Sequence, residues 1–245
     1  MPKHLEYAVT EPKQPTSDRR DFLAHVATAA AVIATTACAT PLAAAQALPL
    51  SVSGKSSGAA PFDDEWTRRV AAARHRAVFD SPGVDDGLAL EHATFYMQGF
   101  REQLGVGGAD VVPVVVLRHA ATVMAMNDLL WEQFGLGERS KTKDPLTGKD
   151  SIRNPFVRVG KDEKNLIVSP AAALESLLAS GAVLLACNKA AMKVANQMAA
   201  KLGRDPEEVR AEVRNNIVPG VLLQPSGIYA VLRAQDVGCA FIKST

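Results

Sequence analysis

A cysteine closes the apolar run VLLAC at 183–187, and the helix-forming run NKAAMKVANQMAAKLG follows at once. A thiol at the first turn of a helix meets unpaired backbone N–H groups and the positive end of the helix dipole, and both favour the thiolate. Lys189 and Lys193 add positive field. A thiolate attacks sulfur and can carry it as a persulfide. Free cysteine is also among the most buried residue types, so a small hydrophobe closing a strand is the other reading of Cys187. Arg118 and His119 follow a second apolar run, VVPVVVL at 111–117. His119 is a candidate base or metal ligand, or simply a hydrogen-bonded rim histidine. Arg118 is a candidate for holding an anion. Asn188 and Lys189, the first residues after the thiol, are secondary candidates.

These residues share a site only if the fold brings the ends of their strands together. RAVFD at 76–80, VVPVVVL, VLLAC and CAFIK at 239–243 read as strands. Near-continuous apolar runs of this kind suit a parallel sheet covered on both faces. Between them lie helix-like stretches at 88–104, 120–134, 169–181, 188–203, 205–218 and 226–238. Along 88–104, Leu88, His92, Phe95 and Gly99 fall roughly on one apolar face, which makes His92 a core histidine. Ser169 and Asp205 stand at N-cap positions with Pro170 and Pro206 next, and Gly181 and Gly203 stand at stops. Asp85 and Asp86 read as capping residues for the helix at 88. Five methionines, at 97, 124, 126, 192 and 198, read as core fillers.

The alternation predicts an α/β three-layer sandwich, α/β/α, with a mainly parallel sheet. Ligands of such sheets bind at the carboxyl ends of the strands. That rule brings Asp80, Arg118, His119 and Cys187 to one rim. Cys239 starts its strand, so a parallel last strand places it at the opposite edge, on the order of 17 Å away. Disulfide reach is exceeded at that span, and Cys239 reads as a structural free thiol; an antiparallel last strand would reverse this. The polar stretch 138–164 is long for a loop, and its Arg153, Asn154 and Phe156 are candidates for a lid over the rim.

Several function classes are set aside by composition. Net charge is +1 and aromatics are 5% of the 245 residues, so no nucleic-acid partner is expected. No dinucleotide or phosphate-binding loop stands in the required strand–loop–helix context, and no organic cofactor is expected. His-x-His, His-x-x-x-His and Cys-x-x-Cys spacings do not occur, and no metal is expected.

The front of the chain reads as a targeting segment. TSDRRDFL at 16–23 carries an Arg pair followed by Phe22 and Leu23, and a soft Ala/Thr-rich stretch leads to PLAAAQA. This resembles a twin-arginine export signal over residues 1–47. Residues 48–64, with SVSGKSSGAAP, read as a flexible linker, and the α/β domain occupies 65–245. The expected location is periplasmic or otherwise exported, with no membrane span in the mature form. Cys38 loosely matches a lipoprotein acylation site, a less favoured anchor.

ACNKAAMK, with its cysteine at the strand–helix junction, resembles the reactive segment of the DsrE/DsrF-like sulfur-relay superfamily. LQPSGIYAVLRAQDVGCAFI, VLRHAATVMAMNDLLW and IRNPF are similar to segments of its exported branch. The resemblance spans about residues 74–243. It implies a sheet of about five strands, a homo-oligomer (trimer or hexamer), and persulfide formation on Cys187 with donor and acceptor proteins as partners. His119 or Arg118 would stabilise the anion or orient the acceptor. The best-known relay proteins are cytoplasmic, so the export signal is a departure from the family pattern. A non-catalytic binding or assembly module is the alternative function, and a metal carrier the third.

Overall fold

The structure, a computed structural model, describes residues 62–158 and 162–245. The export signal, Cys38 and most of the expected linker lie outside the described residues. Five strands form one sheet: β1 (His75–Ser81), β2 (Val111–Leu117), β3 (Val183–Cys187), β4 (Leu222–Gln224) and β5 (Ala240–Lys243). Their order is β4-β3-β2-β1-β5, and every pairing is parallel. The α/β fold with a parallel sheet is as the alternation of elements predicts. Among the described residues, no helix is long and apolar enough to cross a membrane.

The order of the strands explains the layers. From β1 to β4 the chain steps across the sheet in one direction, and right-handed crossovers keep all three connections on one face. That face carries α2 (Leu88–Leu104), α3 (Asp128–Phe134), α4 (Leu136–Ser140), α5 (Leu174–Ala179), α6 (Asn188–Leu202) and α7 (Pro206–Asn215). The return from β4 to β5 crosses the other face through α8 (Gly227–Asp236), beside α1 (Trp66–Ala72). The central strands alternate accordingly. Val112, Val114 and Val116 face α1 and α8, while Val111, Val115 and Leu117 face the larger core. Pro113 is tolerated in central β2 because β3 pairs only from Val114 onward, so less of the ladder needs the missing N–H.

Several elements depart from the pattern. The single helix expected over 120–134 is two pieces, a 3₁₀ stretch at His119–Ala125 and then α3. Met126 and Asn127 leave the helical path to meet the 216–218 segment. Val218 N–H donates to Ala125 O, and Asn127 N–H to Asn216 O. Asn127 then caps α3 through Leu130 N–H. Ser169 caps nothing: its N–H and hydroxyl bond Glu91, and α5 begins only at Leu174. Asp85 and Asp86 likewise make no cap; Gly87, with left-handed backbone, precedes α2. The buried stripe of α2 is Ala89, Leu90, Ala93 and Met97, whereas Phe95 is 59% exposed. His92 is half-buried, its Nδ1 3.1 Å from Ser244 Oγ. β4 and α1 have no counterpart in the sequence reading.

Asn154 and Phe156 form no lid over the rim: both are fully buried. Asn154 Nδ2 donates to Met124 O and Met126 O, both at 2.7 Å, and its Oδ1 accepts from Phe156 N–H at 2.9 Å. One amide therefore replaces the helical bonds that the broken 119–134 segment lacks. Asn154→Ala leaves these backbone groups buried and unpaired, and should lower unfolding free energy by about 2–4 kcal/mol. Urea denaturation should show a lower midpoint at an unchanged slope.

Candidate functional site

Parallel pairing aligns the carboxyl ends of the three central strands. Ser81 pairs with Leu117, and Leu117 with Ala186, so Asp80, Arg118 and Cys187 arrive at one edge. The Arg118 guanidinium grips Asp80 through two bonds, Nε to Oδ1 at 2.6 Å and Nη2 to Oδ2 at 2.8 Å. The Asp80 hydrogen bond raises the Arg118 pKa above its ordinary value, against the effect of burial, and the charges of Asp80 and Cys187 add to the rise. Arg118 therefore sits within electrostatic range of the thiol, while its hydrogen-bonding fork is engaged by Asp80. Its stem also covers the start of α8. A Cβ on Gly227 would lie 2.3 Å from Arg118 Cβ, so only glycine fits there.

Cys187 is the N-cap of α6. Its backbone is extended (φ −77°, ψ 108°), and its Sγ accepts from Ala190 N–H at 3.4 Å. Sulfur occupies the place where a serine or aspartate oxygen ordinarily satisfies a first-turn N–H. The residue is 7% exposed, and it borders a pocket of about 520 Å³. His119 lines the same pocket from the end of β2, in a left-handed backbone conformation (φ 56°) that is uncommon for a non-glycine residue. Lys189 and Lys193, one turn apart on α6, line it as well.

Two polar pocket residues escaped the sequence reading, Arg139 and Ser140 of α4. They fall in what reads as irregular chain. Gly135 and Lys141, both in left-handed backbone, bracket this five-residue helix, and a Gly-bounded LGERS was the available signal. Arg139 Nη2 donates to Gln197 Oε1 at 2.5 Å, joining α4 to α6. Gly137 permits the approach of the next segment, since a Cβ there would strike Ser151 O at 2.0 Å.

Other candidates are elsewhere. Arg153 is exposed and lines a separate pocket with Asp144 and Asp162. Asn188 borders a third pocket with Arg214 and Leu223, and its Oδ1 is buried without a partner among the described residues. Cys239 is at the opposite edge, just before parallel β5, and both described cysteines are free. Among the described residues no three His, Cys, Asp or Glu side chains group to hold a metal. No known family model matches the chain, and no curated protein matches its sequence.

The two thiols differ in setting. Burial pushes Cys239 from 9.0 up to about 11, with the Arg76 charge acting against it. Burial, aided by the Cys239 charge, pushes nearby Tyr96 up to about 12. A raised pKa in the folded state favours the neutral thiol, so its stabilisation is intact below pH 9 and lost as pH rises toward 11. Unfolding free energy should fall by roughly 1–2 kcal/mol across that window on account of Cys239. Cys239→Ala should show a shallower fall in pH-dependent urea titrations, with the Tyr96 contribution remaining.

Proposed function

We propose that the chain handles sulfur through a persulfide on Cys187. The observation that carries this reading is the shared pocket: the helix-capping Cys187 and His119 line one cavity at the carboxyl edge of the sheet. The Cys187 thiolate attacks the outer sulfur of a donor persulfide. A new S–S bond forms at Sγ, the donor S–S bond breaks, and its electron pair leaves on the donor thiolate. His119 supplies the proton that this thiolate takes up. Transfer onward is the same exchange with an acceptor thiolate attacking the Cys187 persulfide, and neither step needs an external oxidant or reductant.

Kinship with the DsrE/DsrF-like sulfur-relay proteins, export by the twin-arginine route and a trimeric or hexameric assembly belong to the same proposal. Exposed Ile228 and Leu232, one turn apart on α8, support an apolar contact between copies. The low exposure of Cys187 favours a second reading, a binding module whose thiol does not react.

Iodoacetamide labelling near neutral pH separates the two. A relay protein is alkylated at Cys187 while folded, and polysulfide adds the mass of one sulfur atom at that residue. Cys187→Ser abolishes both and Cys239→Ser neither. His119→Ala should slow sulfur transfer by at least about tenfold. Labelling of Cys187 only after denaturation would leave the binding module.

A further inference from the structure

The pocket beside Cys187 has a charge imbalance. Arg139, Lys189 and Lys193 line it, and among the described residues no carboxylate does. Arg118, Arg204 and Arg233 have the acidic partners Asp80, Glu212 and Asp64, while Arg69 and Arg76 bond backbone carbonyls. The three pocket cations form no ion pair among the described residues, and the side-chain bond of Arg139 goes to uncharged Gln197. The cations come from two elements, Arg139 from α4 and Lys189 and Lys193 from α6. The N-terminus of α6, fifteen residues long, opens at the same place and adds its positive end. All three side chains are exposed, and like charges gathered around one concavity repel one another and concentrate counter-ions there.

We propose that this pocket is a small-anion site, in which Arg139, Lys189 and Lys193 select molecules bearing negative charge and acceptor oxygens and deliver them to Cys187. A volume of about 520 Å³ has room for an organic anion and more than enough for an inorganic one. Delivery to sulfur rests on Cys187 being the reacting group; the selection of anions does not. If Cys187 relays sulfur, its donor is then a small persulfide that carries a carboxylate: the carboxylate oxygens meet the cations, Cys187 Sγ takes the outer sulfur, and the electron pair of the broken S–S bond leaves on the donor thiolate. His119 closes the pocket from the β2 side and adds a fourth nitrogen donor group.

Two reagents that differ in charge test the selection. Iodoacetate is an anion and iodoacetamide is neutral, and both alkylate the same sulfur. Labelling is quantified at Cys187 by peptide mass mapping of the full chain, with glutathione as the reference thiol. At low salt, the iodoacetate-to-iodoacetamide rate ratio should exceed that of glutathione by about tenfold or more. It should fall toward the glutathione ratio in roughly 0.5 M sodium chloride. Lys189→Glu with Lys193→Glu should collapse the ratio, while Arg139→Lys should keep most of it. A ratio equal to that of glutathione and indifferent to salt overturns the proposal. If neither reagent labels folded Cys187, the reacting role of Cys187 fails, and sulfate then decides the anion site. A saturable rise in Tm with sodium sulfate, absent in the double variant, supports the site, and no rise overturns it.

Discussion

The ion pair between Asp80 and Arg118 fixes the edge of the sheet on which the candidate chemistry sits. Asp80 is buried at the end of β1, and a buried carboxylate is tolerable only with a charged, hydrogen-bonded partner. Arg118 supplies it from the end of β2 through a two-bond fork. The same side chain lies over Gly227, so the start of α8 is held against the ends of two strands. Backbone bonds from Arg118 N–H to Ser81 O and from Ala120 N–H to Pro82 O complete the clamp. His119 stands between those two bonded residues, and its left-handed backbone is the conformation the clamp requires.

Arg118 is engaged by Asp80, and the cations that line the thiol pocket come from α4 and the first turns of α6. Short helices are marginal by themselves. α4 persists because it is tied at both ends: Gly137 lets Ser151 approach, and Arg139 reaches Gln197 on α6. The contrast between the two cysteines follows from the topology. Parallel strands put the end of β3 and the start of β5 at opposite edges, so one thiol meets a helix N-terminus and the other meets packed side chains.

The parallel core was legible because its strands are nearly continuous apolar runs, and Cys187, His119 and Arg118 follow from where those runs stop. β4 was not legible: LLQ is three residues long and only partly buried, too short for any period to show. The 120–134 segment has helical composition throughout, yet Met126 and Asn127 pair with Ile217 and Asn216 far along the chain, a long-range bond no local pattern encodes. The buried stripe of α2 falls on small residues, Ala89 and Ala93, which leaves the large Phe95 outside and misleads a reading based on bulk. The stretch around Asn154 reads as loop because it is polar, but its amide serves backbone carbonyls inside the core.

The sheet also tapers. β1 and β2 are seven residues each, whereas the two outermost strands, β4 and β5, have three and four. An outermost strand offers a row of unsatisfied peptide groups onto which another molecule can add. Here one flank is cut short by Pro219 and Pro225, which bracket the three residues of β4, and the other ends in charged Lys243. Among the described residues, the long apolar strands that build the core are therefore flanked by short ones, and the outer edges of the sheet offer few peptide groups for another molecule to join.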